Sequence, residues 1–313
     1  MITSHAIRLI WVLVTGIGTS FSVFSDDAAP QGLNARLDFS TRADFRSDKV
    51  PRYQYRVRFY PQLSFNENWS VNAFAVTGDE FSSSYNTFGA DENHRFYLRR
   101  FYLRHQSQYG KTELGSIPTY KGRVSSTGLS KDGWIAGIRH VRDVSAHNKV
   151  EIVVGELAHT QSPDAFHAIN RIDYLEFELS ARITDKLSYE LGLERMLNEN
   201  FLRAELRYQV AGEHIVAMEL VDRTDNNHLK AVMILEGPMP IPNYQMDYFL
   251  YYSYVDASFG ARAELTEDFV DFGHALTFEL EGELIAQWGW DWFSKLELNE
   301  GQKRLQLGLK FKI

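Results

Sequence analysis

Residues 52–59 read Arg52-Tyr53-Gln54-Tyr55-Arg56-Val57-Arg58-Phe59, with polar and apolar side chains at alternate positions. Successive side chains of a β-strand point to opposite faces, whereas a helix repeats every 3.6 residues and would mix both kinds of side chain on each face. The stretch therefore predicts a β-strand with one apolar face and one strongly charged face.

The same alternation recurs over most of the chain. In residues 304–313, leucines, Phe311 and Ile313 alternate with arginine, lysine, glutamine and glycine. Further stretches with this pattern are 33–40, 175–183, 187–194 and 202–210. A period of two that is sustained over so many segments predicts an all-β protein.

Two kinds of connection separate the predicted strands. Short polar turns lie at 66–68, 184–186, 198–200 and 211–213, and longer polar loops lie at 78–93, 118–131 and 161–170. Tight turns at one end and longer loops at the other are typical of outer-membrane β-barrels. The strands themselves are often about ten residues long or longer, which suits a tilted crossing of the hydrocarbon. Soluble β-meanders have similar connections, so the turns alone do not distinguish a membrane barrel from a soluble β-protein.

The amino-terminal segment has the three parts of a secretory signal. Arg8 supplies positive charge, residues 9–24 are largely apolar, and Val23-Phe24-Ser25 ends the segment with small residues at the two positions that signal peptidase reads. A membrane anchor is the alternative, but the apolar run is shorter than the ~20 residues that a spanning helix needs. We therefore predict a cleaved signal peptide at 1–25 and a single domain at 26–313.

These observations predict an all-β fold, a closed antiparallel transmembrane β-barrel of about 16 strands with apolar side chains facing lipid and polar ones enclosing water. Residues 260–298 can be divided in more than one way, so roughly 14 to 18 strands are compatible with the sequence. A soluble secreted β-sandwich that binds glycans is the alternative fold.

Several motifs resemble those of bacterial outer-membrane porins over roughly residues 33–142. They are the arginine-rich strand 52–58, a second strand that ends in Thr77-Gly78-Asp79, Asn86-Thr87-Phe88, Arg99-Arg100-Phe101-Tyr102-Leu103, and the segments 109–115 and 132–139. The resemblance implies a passive channel for small polar solutes or ions in a Gram-negative outer membrane. It also implies contacts with outer-membrane lipid and the barrel-assembly machinery, and it is compatible with a homotrimer as well as a monomer.

The two halves of the chain carry opposite charge. Residues 26–149 contain 18 Lys or Arg and 13 Asp or Glu, whereas residues 150–313 contain 14 and 28. A Lys or Arg on the lipid face at the bilayer midplane costs about 2–4 kcal/mol, so these charges are expected to line the lumen. We predict a basic wall of Arg52, Arg56, Arg58, Arg100 and Arg104 that faces an acidic wall of Glu176, Glu178, Glu190, Glu194 and Glu205. The alternative is that these charges pair with neighbours across the strands.

The predicted loop at 118–131 is a candidate constriction of the channel. It is the third loop at its end of the barrel, and in porins the third external loop often folds into the pore. Lys121 and Arg123 are the candidate constriction residues, and Lys131 adds a third cation. An ordinary exposed loop is the alternative.

Catalytic motifs are absent from the sequence. Residues 26–313 contain no His-Glu-x-x-His, no Gly-x-Ser-x-Gly and no cysteine. Gly110-Lys111-Thr112 lacks the upstream glycine of a phosphate-binding loop. We therefore expect no enzymatic activity, no cofactor, no metal site and no nucleic-acid partner. An outer-membrane barrel enzyme such as a phospholipase is the alternative function.

Overall fold

The structure is a computed structural model that describes residues 32–89, 94–119, 129–157, 160, 163–242, 244–265 and 272–313. Within these ranges the chain forms one short α-helix, α1 (Ala261–Glu264), one 3-10 turn (Ala286–Trp288) and a 17-stranded sheet. The strands are β1 (Gly32–Arg46), β2 (Lys49–Ser64), β3 (Trp69–Thr77), β4 (Asn86–Thr87), β5 (Phe96–Ser107), β6 (Gly110–Pro118), β7 (Trp134–Asp143), β8 (Asn148–Glu156), β9 (Tyr174–Arg182), β10 (Leu187–Met196), β11 (Glu199–Gln209), β12 (Ile215–Arg223), β13 (His228–Pro238), β14 (Met246–Val255), β15 (Gly273–Ile285), β16 (Trp290–Asn299) and β17 (Lys303–Lys312). In the same ranges, no helix has the length and hydropathy needed to cross a membrane.

The sheet closes on itself into a barrel. Sequential strands pair antiparallel, and β1 pairs on one side with β2 and on the other with β17. β4 has only two residues and pairs with β2 beside Tyr55, so the wall consists of sixteen long strands. This closed antiparallel barrel confirms the predicted fold class and strand number. It also rules out the β-sandwich alternative, since a sandwich keeps two separate sheets.

The exposure of side chains along β10 shows which face of each strand looks outward. Leu191 and Leu193 are 44% and 58% exposed, whereas Glu190 and Glu194 on the other face are 5% and 4% exposed. This distribution is the reverse of that in a water-soluble protein, where large apolar side chains are buried and carboxylates are exposed. An apolar outer surface and a polar interior are expected of a barrel in lipid.

Short turns and long loops are unequally divided between the two ends of the barrel. One end, the turn end, has only short connections, at 65–68, 108–109, 144–147, 183–186, 210–214, 239–245 and 286–289. The opposite end, the loop end, has long loops at 78–95, 119–133, 157–173 and 256–272, although β4 lies within the first of these. Four short turns share the loop end, among them the turn at Leu197 and Asn198, whose φ angles of 49° and 76° allow a tight hairpin. The predicted short turn at 198–200 therefore lies at the loop end of the barrel and not at the turn end. The long loop at 256–272 was not predicted.

A β-bulge interrupts the alternation in β5. Phe74 pairs with Arg100 and Ala75 pairs with Leu98, so Arg99 has no partner on β3. An extra residue in one strand turns two successive side chains toward the same face. Arg99 and Arg100 are consequently both buried, at 0% and 6% exposure.

Candidate functional site

The residues of the basic wall lie on the polar face of β2 and β5, where each contacts an acidic or carbonyl oxygen. On β2, Arg52 is 2.6 Å from Asp44, and Arg58 is 2.7 Å from Asp132. Arg56 lies farther from Asp132, at 3.8 Å. On β5, Arg100 donates to the carbonyl of Gly133 at 2.6 Å, and Arg104 is 2.8 Å from Glu113. The basic wall is therefore partly neutralised.

Three of the five acidic-wall residues surround one arginine. Arg203 of β11 is 2.6 Å from Glu190, 3.5 Å from Glu205 and 3.6 Å from Glu178, and a fourth carboxylate, Glu219 of β12, is 3.4 Å away. Arg203 is only 1% exposed. A buried charge needs a partner because it has lost its hydration. Four carboxylates therefore surround one buried guanidinium in this ion network.

Glu194 and Glu176 are the acidic-wall residues nearest to the loop end of the barrel. Glu194 is 3.2 Å from Arg262 of α1, and the Tyr174 hydroxyl donates to Glu176 at 2.6 Å. The backbone N–H of Ala261 also donates to the carboxylate of Glu199, at 2.8 Å. These contacts place the start of the unpredicted loop 256–272 against β10 and β11 inside the barrel.

The strands of the two walls occupy different sides of the barrel, although β5 of the basic wall and β9 of the acidic wall are only four steps apart. The order of the strands places eight steps between β2 and β11 in either direction around the sixteen long strands. Strands that are half a circumference apart face each other across the lumen of a closed barrel. The arrangement of the walls follows from the strand order because the two halves of the sequence become the two halves of the wall.

Two loops from the loop end fold into the lumen and meet at Asp132. The Ser84 hydroxyl of loop 78–95 hydrogen-bonds the Asp132 carboxylate of loop 119–133, which also contacts Arg58. Burial acts to raise the pKa of Asp132, but Arg58 and Arg56 outweigh it and hold the pKa well below its usual range. The described end of the third loop is therefore inside the barrel, whereas Lys121 and Arg123 lie outside the described residues.

The inward Arg99 of the bulge holds loop 78–95 in place. Its guanidinium donates to the carbonyl of Gly78 at 2.8 Å, to that of Ser83 at 3.2 Å and to that of Asp132 at 3.2 Å. A planar guanidinium with five N–H donors can bind several carbonyls at once. Without the bulge, strict alternation would direct Arg99 toward lipid. With the bulge, Arg99 points inward and binds loops 78–95 and 119–133.

Tyr85 of loop 78–95 lies between two arginines of the wall. The guanidinium carbon of Arg42 is 3.6 Å from the centre of the ring, and that of Arg56 is 4.4 Å away. Ser40 donates to the phenol oxygen at 3.3 Å. Burial acts to raise the pKa of Tyr85, but the two arginines prevail and its pKa is lowered from the ordinary value.

A cavity of about 480 Å³ lies in the lumen between Tyr85 and the strands β14 to β17. Its cations on the side of β1, β2 and the loops are Arg42, Arg56, Arg58 and Lys131, and those on β16 and β17 are Lys295, Arg304, Lys310 and Lys312. Glu279 and Glu281 of β15 are the acidic side chains in the lining. The five acidic-wall residues are not part of the described lining of this cavity.

Carboxylates behind the cavity surface contact several of these cations. Asp44 lies 2.7 Å from Arg304, Asp132 lies 2.7 Å from Arg58, and Glu297 lies 2.8 Å from Lys295. The lining itself contains eight cations and only two carboxylates, Glu279 and Glu281. The cavity therefore has a positive electrostatic potential.

Sequence reasoning missed three residues of this site. Arg99 could have been found, because the apolar positions of β5 shift from even numbers at Phe96 and Leu98 to odd numbers at Phe101 and Leu103, which signals an inserted residue. Arg42 lies on the polar face of an expected strand but was not singled out. Tyr85 carries no signal in the sequence, since it follows three serines in a loop.

Comparisons with known proteins bear on the fold. The sequence matches no protein-family model and none of the curated proteins it was compared with. A mutant of the Rh. blastica porin superposes with a TM-score of 0.61 at 8% identity, over 90% of this chain and 100% of that chain. OprB of Pseudomonas putida superposes with a TM-score of 0.60 at 10% identity, over 100% and 98% of the two chains.

A third similar structure is a trimer form of OmpT, described as an outer membrane protein of Vibrio cholerae. It has a TM-score of 0.57 at 11% identity and covers 92% of this chain and 100% of that chain. At these identities the likeness concerns the fold, which is that of porin-like outer-membrane barrels.

Proposed function

We propose that this protein is a porin of the Gram-negative outer membrane, which forms a water-filled channel for passive diffusion of small polar solutes or ions. The signal peptide at 1–25 would direct it to the periplasm, and the barrel-assembly machinery would insert residues 26–313 into the membrane. The proposal assigns the chain no enzymatic activity and no cofactor.

One observation carries the proposal: the barrel is apolar outside and charged inside, and an open cavity lies within the charged interior. Leu191 and Leu193 face outward, whereas Arg56 and Arg58 line the cavity. Lipid requires an apolar surface, and solvated ions require polar groups along their path. A passive channel needs both features and no moving part.

Opposite charges on the two sides of the lumen would set up a transverse field. Support comes from Arg52, Arg56 and Arg58 of β2, a strand that is half a circumference from the Arg203 strand β11, and from Glu279 and Glu281, which lie among the cations of the cavity. Such a field orients dipolar solutes and influences ion preference. We infer that the channel discriminates by charge as well as by size.

Planar-bilayer recording tests the channel. Purified mature protein is expected to give discrete conductance steps, and a salt gradient is expected to give a reversal potential that shows a preference for anions. Bilayers that stay silent although the protein migrates as a folded, heat-modifiable barrel would refute the proposal. The double variant Arg56→Ala with Arg58→Ala should reduce anion permeability, whereas Arg36→Ala, at an exposed position outside the cavity lining, should not.

A homotrimer is proposed as the assembled state, by analogy with the trimer form of the similar OmpT structure. Chemical crosslinking and mass measurement in detergent test this state. A barrel enzyme such as a phospholipase is the competing function, and a hydrolase assay on the folded protein with phospholipid vesicles distinguishes the two.

A further inference from the structure

The cavity combines two chemical surfaces that a general diffusion pore does not need. Arg42 and Arg56 lie on the ring of Tyr85, whereas the strands β14 and β16 contribute Phe249, Tyr251 and Phe293. The rings of Phe249 and Tyr251 are 5.5 Å apart, and the Lys310 ammonium is 4.8 Å from the centre of the Phe293 ring. Aromatic and cationic groups therefore line the same space of about 480 Å³.

The stack of Arg42, Tyr85 and Arg56 orients two guanidinium groups. Tyr85 covers one face of each, at 3.6 Å and 4.4 Å. The N–H donors of a guanidinium lie in its plane, so stacking on the face leaves the donating rim turned sideways; in Arg42 the Nε donates to Gln54 at 2.9 Å, and the two terminal nitrogens carry four further N–H groups. A rim of this geometry matches the two oxygens of a carboxylate, and the resulting charge-assisted bonds are the stronger class of hydrogen bond.

The net charge of the lining decides the sign of the ligand. Eight cations and two carboxylates line the cavity, so its surface favours an anionic ligand. The half-buried ring of Phe249 and the small exposed part of the Phe293 ring, which is 5% exposed, supply an apolar surface against which a flat apolar body can pack. A ligand that satisfies both surfaces carries one anionic group on a flat, apolar frame.

We propose that this cavity is a binding site for small aromatic carboxylates, which would occupy it on their way through the channel. The carboxylate would contact Arg42 and Arg56, and the ring would pack toward Phe249 and Phe293. The inference rests on the proposed channel function for its physiological meaning, but binding can be measured without conduction.

Benzoate is the probe for this site, with inorganic phosphate and benzyl alcohol as its two controls. Phosphate has the charge without the ring, and benzyl alcohol has the ring without the charge. In titrations of folded wild-type protein in detergent, followed by calorimetry, benzoate should bind at least about tenfold more tightly than either control. Equal binding of phosphate and benzoate would reduce the site to a general anion site and overturn the aromatic part of the proposal. Absence of benzoate binding would overturn it entirely.

Bilayer recordings separate this proposal from the channel function. If the protein conducts chloride, benzoate should reduce the chloride current in a saturable manner, whereas phosphate should do so only at much higher concentration. Conductance without benzoate block refutes the binding site and leaves the channel intact. Benzoate binding in detergent without conductance refutes the channel and leaves the site intact.

Variants locate the site within the cavity. Arg42→Gln with Arg56→Gln should weaken benzoate binding by about tenfold or more, because both guanidinium partners of the carboxylate are lost. The matched control is Arg36→Gln, which removes an arginine stacked 4.1 Å from the Tyr60 ring outside the cavity lining. Phe293→Leu should weaken benzoate binding and leave phosphate binding unchanged. An equal loss with the Arg36 control would place the site elsewhere.

Discussion

The guanidinium carbon of Arg42 lies 3.6 Å from the centre of the Tyr85 ring, although one residue belongs to the first strand of the barrel and the other to a loop. Arg56 lies on the same ring at 4.4 Å. Cation–π contacts of this kind contribute about 0.5–2 kcal/mol each. They hold the loop against the lumen wall and thereby narrow the path beside the cavity.

Removal of the Tyr85 ring should widen the channel. Tyr85→Ala deletes the side chain that projects from loop 78–95 onto Arg42 and Arg56, so single-channel conductance should rise by about twofold. Tyr109→Ala serves as the control, because Tyr109 is 64% exposed in a short turn at the turn end. Unchanged conductance in Tyr85→Ala would show that the narrowest point lies elsewhere in the lumen.

A charge on the outer face of β10 should destabilise the barrel in lipid. Leu191 lies near the middle of its strand and faces outward, so Leu191→Arg should lower the free energy of unfolding by about 2–4 kcal/mol. Ile183→Arg, in the turn before β10, should cost only about 0–1 kcal/mol. Urea unfolding in vesicles, followed by tryptophan fluorescence, measures both. Similar costs at the two positions would contradict the assignment of the outer face to lipid.

Loss of Arg203 should leave a cluster of buried carboxylates without its central cation. Arg203→Met is expected to lower the free energy of unfolding by about 3–5 kcal/mol, since a buried charge network that loses one partner keeps the desolvation penalty. Adding Glu190→Gln, which removes the carboxylate 2.6 Å from Arg203, should restore part of this loss. Thermal or urea unfolding of the two variants measures the difference.

The matched control for Arg203 is an exposed ion pair of the same barrel. Lys149 and Asp143 are 3.2 Å apart with side chains that are 62% and 39% exposed. Lys149→Met should cost about 0–1 kcal/mol. A comparable loss in both variants would mean that burial does not govern the cost.

The junction of the two inward loops should resist acid. Arg58 and Arg56 hold the pKa of Asp132 below its usual range despite the opposing effect of burial. A carboxylate with a depressed folded-state pKa adds stability above its unfolded pKa of about 3.9 and loses it only as the pH falls toward the folded value. Channel current should therefore remain free of loop-related fluctuation from pH 7 to about pH 4.

Asp132→Asn tests the same junction without a pH change. The amide keeps the shape but loses the charge that pairs with Arg58, so current fluctuation and protease cleavage in loops 78–95 and 119–133 should increase at every pH. Asp164→Asn, in loop 157–173, is the control. A quiet channel with protected loops in Asp132→Asn would show that Ser84 and Arg99 suffice to hold them.

The amino-acid pattern predicted the barrel well because alternation is local. In β2 and β10, a strand with a charged face and an apolar face lies between water and an apolar phase, so the direction of each side chain follows from its position in the strand. Opposite placement of β2 and β11 likewise follows from sequential antiparallel pairing. These properties depend on neighbouring residues and on chain order alone.

Contacts between residues far apart in the chain could not be predicted from this local pattern. The loop at 256–272 places Arg262 against Glu194, and no periodic pattern marks that encounter. The acidic wall was predicted to line the lumen, with pairing across strands as the alternative, and no local pattern indicates that three of its carboxylates surround Arg203. Likewise, the bulge at Arg99 depends on how β5 pairs with β3, although the shift of its apolar positions leaves a trace.

By itself, the sequence determined the class of fold, the faces of the strands and the sign of charge on each half of the wall, because these depend on the two-residue repeat of β-structure. Only the tertiary structure decided where the lumen remains open, by folding Tyr85 and Asp132 inward onto Arg42, Arg56 and Arg58. Loops have no repeat that specifies their path, and their positions depend on contacts between residues far apart in the chain.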